Sequence, residues 1–286
     1  MILNIEHLNI RQIAESGQCF RMNPTGKGSY SLIAYGRYLE ITQHKEDTIE
    51  LGCTEADYRT IWKDYFHLEY DYSSIVHRLE QGNDEFLRKA VQYGNGIRIL
   101  RQEPFEMLIS FIISQNKNIP SIKTCIERIA EKYGDCRTDQ ATGVIYYAFP
   151  SPQQLAVAKQ EDLRQLKLGY RDTYILSAAR AVAEGTVKLE ELKAAGHDEA
   201  VKILRSIHGV GEKVANCVSL YGLHHIEAFP VDVWIRRILA EVYGNCFDTT
   251  PFSGYAGILQ QYMFYYIRSQ GNTPNHRKEP LTEAVT

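Results

Sequence analysis

The apolar positions of this chain change period once along its length. Ser29–Tyr35 and Arg37–Thr42 are short runs rich in Tyr, Ile and Leu, broken at Gly28 and Gly36, and they read as strands. The segment up to about residue 95 is therefore expected to hold an antiparallel sheet. Beyond it the spacing turns helical. Phe105–Gln115 is apolar almost all round, the pattern of a buried central helix. Further helices are predicted over 122–132, 160–166, 173–184, 199–207, 212–221, 233–242 and 255–269. The expected class is α+β, mostly α. An N-terminal sheet domain (1–95) precedes a helical domain (96–272), and a polar tail with two prolines (273–286) is expected to fray.

Composition narrows the setting. A chain of 286 residues with 44% hydrophobic and 23% charged residues is an ordinary globular protein. No apolar run has the length of a membrane span, and the start lacks the basic-then-apolar layout of a signal peptide, so a cytoplasmic protein is expected. The six cysteines form no CxxC pair and no zinc spacing, which suits reduced thiols, mostly small buried hydrophobes. The nine histidines form no HxxxH or HExxH pattern, and His224 and His225 would diverge on a helix. No cofactor is expected. The net charge of −3 opposes a nucleic-acid partner until its distribution is read. Residues 44–71 carry eight acids against three bases, and the rest of the chain carries 29 bases against 27 acids. The acidity is local to the N-terminal part.

The segment Leu204–Leu239 carries the chemistry. Two helical patterns flank the turn His208-Gly209-Val210-Gly211. Glycines at 209 and 211 permit positive φ, and the N–H groups opening the second helix can face a phosphate. The plain alternative is a tight turn between helices. Lys213 follows in the first turn of that helix, where the dipole disfavours a charged amine; an uncharged lysine is a nucleophile able to form a Schiff base. The plain alternative is a surface lysine. Asp232 is placed to cap the helix from Val233, and a carboxylate there could also accept a proton or stabilise a sugar cation.

These residues, LRSIHGVGEKVANC…PVDVW, resemble the helix-hairpin-helix DNA glycosylases with a downstream catalytic aspartate, and among them the 8-oxoguanine DNA glycosylases in a bacterial-like form. Four more segments follow in the family's order: Ser16–Arg21 resembles its N-terminal recognition strand, Ser114–Ile119 its asparagine loop, Leu166–Arg171 its wedge motif and Ala256–Phe264 its base-reading helix. The iron–sulfur cysteines of the endonuclease III branch are missing.

The resemblance implies a helical glycosylase domain and a role for each matched residue. Lys213 is the expected nucleophile and Asp232 its partner. Cys217 and Phe264 would sandwich an extruded purine, Gln260 would read its Watson–Crick edge, and the Gly17 carbonyl would accept the N7 hydrogen that 8-oxoguanine has and guanine lacks. Asn116 would enter the vacated space, Tyr170 would wedge beside the orphaned base, and Arg171 would contact the opposite cytosine. The hairpin would hold phosphate, with a structural cation at the carbonyls near Ile207 and Val210 and no catalytic metal. Two positions depart from the family. Ser121 replaces an arginine of animal members, which implies looser opposite-base choice, and Trp234 replaces a histidine that contacts phosphate. The expected partner is duplex DNA containing 8-oxoguanine, met by a monomer that releases the base and then cuts the strand. A glycosylase for another damaged purine, a catalytically silent DNA-binding module and a small-molecule enzyme remain as alternatives.

Overall fold

A computed structural model describes residues 1–271, so the tail expected from residue 273 lies outside the described residues. Strands β1 (Ile2–Asn4), β2 (Met22–Gly26), β3 (Ser29–Ala34), β4 (Arg37–Lys45) and β5 (Thr48–Leu51) form one antiparallel sheet in the order β1-β5-β4-β3-β2. The two strands read from sequence are β3 and β4. Their turn places Tyr35 and Gly36 at positive φ (51° and 64°), as a two-residue hairpin requires. One face of the sheet buries Leu32, Leu39, Ile41, Ile49 and Leu51 against helix α1 (Ile10–Glu15) and the aromatic group Trp62, Tyr65 and Phe66. Each such side chain contributes about 1.5–3 kcal/mol on leaving water.

The rest is helical. Helices α2 (Tyr72–Glu80) and α3 (Glu85–Gly94) start on Asp71 and Asp84, whose carboxylates accept from the backbone N–H groups of Ser74 and Leu87 at 3.1 and 2.9 Å. Their apolar faces join the core that surrounds α4 (Pro104–Ser114), the helix read from sequence as buried all round. The remaining long helices are α5 (Ile119–Tyr133), α6 (Arg171–Ala183), α7 (His197–Leu204), α8 (Glu212–Tyr221), α9 (Val233–Glu241) and α10 (Ala256–Gly271). Helix α5 starts three residues before the expected position. Asn118 caps it through Ser121 N–H at 2.9 Å, and Pro120 fits its first turn. A separate hairpin pairs Cys136–Thr138 with Ile145–Tyr147.

Arg98 and Gln18 tie the sheet to the helices. The Arg98 guanidinium donates to the carbonyls of Glu6, His7 and His67 at 2.8–3.0 Å. The Gln18 side chain donates to Arg98 O (2.9 Å) and accepts from Leu100 N–H (2.9 Å), which fixes the segment carrying Gly17. Ser16–Arg21, expected as a strand, is a turn after α1 that leads into β2. All six cysteines are free thiols; Cys19, Cys125 and Cys217 are buried, whereas Cys136 and Cys246 are exposed. His224 and His225 diverge, but from a loop rather than a helix. His224 has φ +62° and faces His67, while His225 pairs with the Ser219 hydroxyl at 2.9 Å. Burial holds His67 uncharged, its pKa lowered to about 4. No helix among the described residues is long and apolar enough to cross a membrane.

Candidate active site

A cleft of about 820 Å³ opens between the segment after α1, the α4–α5 loop, α8, the start of α9 and α10. Gly17, Lys213, Cys217, Asp232, Gln260 and Phe264 all line it. Residues 247 apart in sequence thus meet on one surface. Among the described residues, the charged side chains lining it are Lys117, Lys213, Arg236 and Arg268 against Asp232. A chain with net charge −3 therefore presents a basic cleft, and low-dielectric walls focus that field on an anionic ligand.

Gly211 is the N-cap of α8, which puts Lys213 on the second residue of the helix. The Lys213 Nζ donates to Ser114 Oγ at 3.2 Å and lies 5.4 Å from the centre of the Phe111 ring. That ring stacks on Tyr221 at 5.3 Å and meets Phe20 edge-on at 5.7 Å. Phe111 was not legible as a site residue, because it sits in a largely apolar run that reads as core, and Ser114 was noted only as the first residue of the asparagine loop. Cys217 follows Lys213 by one turn. Burial pushes its thiol pKa up, the Lys213 ammonium opposes that shift, and Asp232 adds to it. The cysteine thus feels both candidate catalytic groups while remaining a neutral thiol. Asp232 caps α9, its Oδ1 accepting from Trp234 N–H (3.0 Å) and Ile235 N–H (2.9 Å).

Gly17 has φ +78°, a left-handed backbone that favours glycine. A Cβ built there would lie 3.4 Å from Phe264 Cε1 and 3.5 Å from Ile119 Cδ1, filling the space between backbone and ring. Phe264 is half-buried, unlike its helix neighbours Tyr262 and Ile267, which are core. Arg268, one turn on, lies 5.1 Å from its ring and donates to Glu15 O at 3.0 Å. Helical spacing from Phe264 was the signal that could have found Arg268.

The hairpin differs from expectation in one respect. Gly209 has φ +86°, but Gly211 has φ −86° and ψ 179°, ordinary extended backbone for an N-cap, so only the first glycine is needed for its conformation. At Gly209 a Cβ would meet the Tyr174 ring at 2.1 Å. Gly209→Ala is expected to lower unfolding stability by about 2–3 kcal/mol, from strain plus overpacking. Urea unfolding checks this, and a loss below about 0.5 kcal/mol would contradict the packing described. Val210 is buried, His208 is exposed with its ring 5.0 Å from Tyr174, and the Gly209 carbonyl accepts from the Gln115 amide at 3.2 Å.

Asn116, Tyr170 and Arg171 form a second group beside the cleft. Asn116 is exposed at φ +51°, and its amide donates to the Tyr170 hydroxyl at 3.3 Å. Tyr170 is 50% exposed. Arg171 is turned inward and 6% exposed: it donates to the carbonyls of Gln115 (2.9 Å from Nε) and Leu168 (3.1 Å), beneath the Tyr170 ring. Its guanidinium is engaged with backbone here rather than presented at the surface. Ser121 lies in the first turn of α5, and Trp234 is half-buried at the cleft edge.

Two helices joined by a glycine hairpin, with a lysine and an aspartate facing one basic cleft, define a scaffold for base-excision chemistry on DNA. The chain belongs to the HhH-GPD superfamily of base excision DNA repair proteins, whose family model matches residues 109–251. Its N-terminal part is more particular: residues 1–108 match the 8-oxoguanine DNA glycosylase N-terminal domain. An N-glycosylase/DNA lyase of Saccharomyces cerevisiae is 30% identical over 271 residues, covering 85% of this chain and 70% of the yeast protein. The structure of Clostridium acetobutylicum 8-oxoguanine glycosylase/lyase, in complex with duplex DNA containing cytosine opposite 8-oxoguanine, superposes with a TM-score of 0.85. It is 34% identical and covers 93% of each chain. A structure of MBOgg1 in complex with a low affinity DNA ligand is 39% identical at a TM-score of 0.88, covering 94% of this chain and 96% of that one.

Proposed function

We propose that the chain is a bifunctional DNA glycosylase and lyase that extrudes 8-oxoguanine from duplex DNA, releases it and cuts the strand. The observation that carries this reading is the convergence of Gly17, Lys213, Cys217, Asp232, Gln260 and Phe264 on one cleft. Attack requires the Lys213 amine to lose a proton, and Asp232 is the carboxylate lining the same cleft that can take it. Nζ then bonds to C1′ as the bond from C1′ to N9 breaks, and the base leaves with that electron pair. Opening of the sugar ring oxygen gives the Schiff base. Loss of a C2′ proton, with the released base as its carrier, expels the 3′ phosphate by β-elimination, and water frees the lysine. Asp232 stabilises positive charge developing on the sugar in the first step.

The cleft also supplies the choice of base. Cys217 and Phe264 stand as the two faces of a purine slot, with Gln260 at its floor. The Gly17 carbonyl accepts the N7 hydrogen of 8-oxoguanine and repels the N7 lone pair of guanine. Gly17→Ala is expected to reduce the preference for 8-oxoguanine over guanine by about ten- to a hundredfold, the value of one buried acceptor left unpaired. Competition between the two duplexes for the variant measures it, and an unchanged ratio would move recognition elsewhere. Asn116 fills the vacated stack and Tyr170 wedges beside the orphaned base. Arg171 reaches the opposite base only by releasing the Gln115 and Leu168 carbonyls, and Ser121 offers it no cationic partner. Both features support a loose opposite-base choice. The Ile207 carbonyl already accepts from Val210 N–H at 3.0 Å and keeps a second lone pair. Such oxygen-only donors suit a hard cation bridging the hairpin to phosphate. The enzyme acts as a cytoplasmic monomer.

Incubation with end-labelled duplex carrying one 8-oxoguanine tests the reading. Base release with strand cleavage at that site is expected. Binding without release would favour a silent module, and release confined to alkylated purines would favour another substrate.

A further inference from the structure

Gln260 sits at the floor of the cleft, 3% exposed, and both ends of its amide are already engaged. Its Nε2 donates to the Pro230 carbonyl at 3.1 Å, and its Oε1 accepts from the Tyr221 hydroxyl at 3.2 Å. The hydroxyl lone pair in turn accepts from the Gln261 amide, which is 2% exposed. Gln261 Nε2 also lies 3.4 Å from Gln260 Oε1, while Gln261 Oε1 has no hydrogen-bond partner among the described residues. The direction is set at the far end: the Pro230 carbonyl can only accept, so Gln260 presents Nε2 to it and Oε1 to the Tyr221 hydroxyl, which Gln261 supports from behind.

A glutamine amide is by itself ambidextrous. Rotation by half a turn exchanges its carbonyl and amino ends, and with them the pattern of donors and acceptors offered to a base. Here a flip would set Oε1 against the Pro230 carbonyl oxygen and turn the amino group toward the Tyr221 hydroxyl, whose proton would lose its acceptor. Each end would lose its partner and one would meet a like charge. The amide is locked.

The geometry points to Tyr221, supported by Gln261, as a positioning residue that fixes the hydrogen-bond polarity of Gln260 and so sets the choice between guanine-type and adenine-type Watson–Crick edges. This rests on the proposed role of Gln260 as reader of that edge. A guanine edge offers N1–H as donor and O6 as acceptor, and an adenine edge offers the reverse at the matching positions. A locked amide matches only one of them, and a mobile amide matches either. Tyr221 also carries the Phe111 ring stacked at 5.3 Å, so the variant of choice keeps the ring and removes only the hydroxyl.

The experiment compares single-turnover excision of 8-oxoguanine and 8-oxoadenine, each opposite cytosine, by the full chain and by Tyr221→Phe. Loss of the hydroxyl bond is expected to raise the ratio of 8-oxoadenine to 8-oxoguanine rates about tenfold, mainly through slower 8-oxoguanine release. Gln261→Met, which frees the hydroxyl lone pair and leaves the ring in place, is expected to move the ratio in the same direction by about threefold, and it carries the test if Tyr221→Phe does not fold. A purely structural role would slow both substrates alike. An unchanged ratio in the variants would overturn the inference. Failure of the underlying reading is separately visible, because the unaltered chain would then release no 8-oxoguanine.

Discussion

Lys213→Gln is expected to lower 8-oxoguanine excision by on the order of 10³-fold or more, the scale of removing a covalent nucleophile. Glutamine keeps a polar side chain one bond shorter than lysine beside Ser114, the 3.2 Å partner of the amine, but it has no nucleophilic lone pair. The helix should persist, because position 213 is in the first turn of α8 and its side chain is only half-buried. Duplex affinity should change by a few-fold at most, since the cleft keeps Lys117, Arg236 and Arg268. Single-turnover rates and a binding titration on the same preparation separate the two effects. A variant that excises within tenfold of the parent would remove Lys213 from the chemistry, and Lys117 would be the amine to examine next.

Asp232→Asn is the second large effect. Aspartate here has two duties, an N-cap and a negative charge, and asparagine separates them. As caps the two residues are nearly equivalent, so the bonds to Trp234 and Ile235 N–H should survive with a stability loss under about 0.5 kcal/mol. The charge is lost outright. Turnover should fall by about 10²–10⁴-fold, through the missing proton acceptor and the missing stabilisation of the sugar cation. Lesion binding should stay nearly intact. Asp232→Ala should add about 1 kcal/mol of instability to the same kinetic loss. Thermal unfolding beside single-turnover kinetics tests the pair: if asparagine restores both stability and rate, Asp232 is a cap and nothing more.

Sequence and structure agree most closely where a local rule sets the outcome. Helix α8 occupies the stretch expected for it, because Gly211 and Gly222 punctuate an apolar period at both ends. The β3–β4 hairpin was legible for the same reason, a glycine at its turn. The sheet edges were not. β1 and β5 are three and four residues long and pair Ile2 with Glu50 and Asn4 with Thr48, contacts far apart in the chain that no local pattern encodes. Helices α2 and α3 also escaped the period reading, although Asp71 and Asp84 mark their starts. Within the cleft, Lys213 and Asp232 stood out because charge in an apolar setting asks for an explanation. Phe111, Ser114, Tyr221 and Gln261 did not, because an aromatic or a short polar side chain on a buried helix looks the same whether it packs or serves. Arg171 shows the opposite gap: the family resemblance implied an outward contact to the opposite base, while the backbone carbonyls of Gln115 and Leu168 engage it inward. Which groups a guanidinium finds depends on loops brought together only by folding.

The proposed catalysis by this chain runs through a covalent bond between the Lys213 amine and one sugar carbon. Borohydride reduction during turnover on duplex DNA containing 8-oxoguanine freezes a Schiff base as a stable amine, and peptide mapping then locates it. A cross-linked species carrying the DNA remnant on Lys213, absent with Lys213→Gln, is the predicted result. Base release with no trapped species, or an adduct on another residue, would show that Lys213 is not the nucleophile.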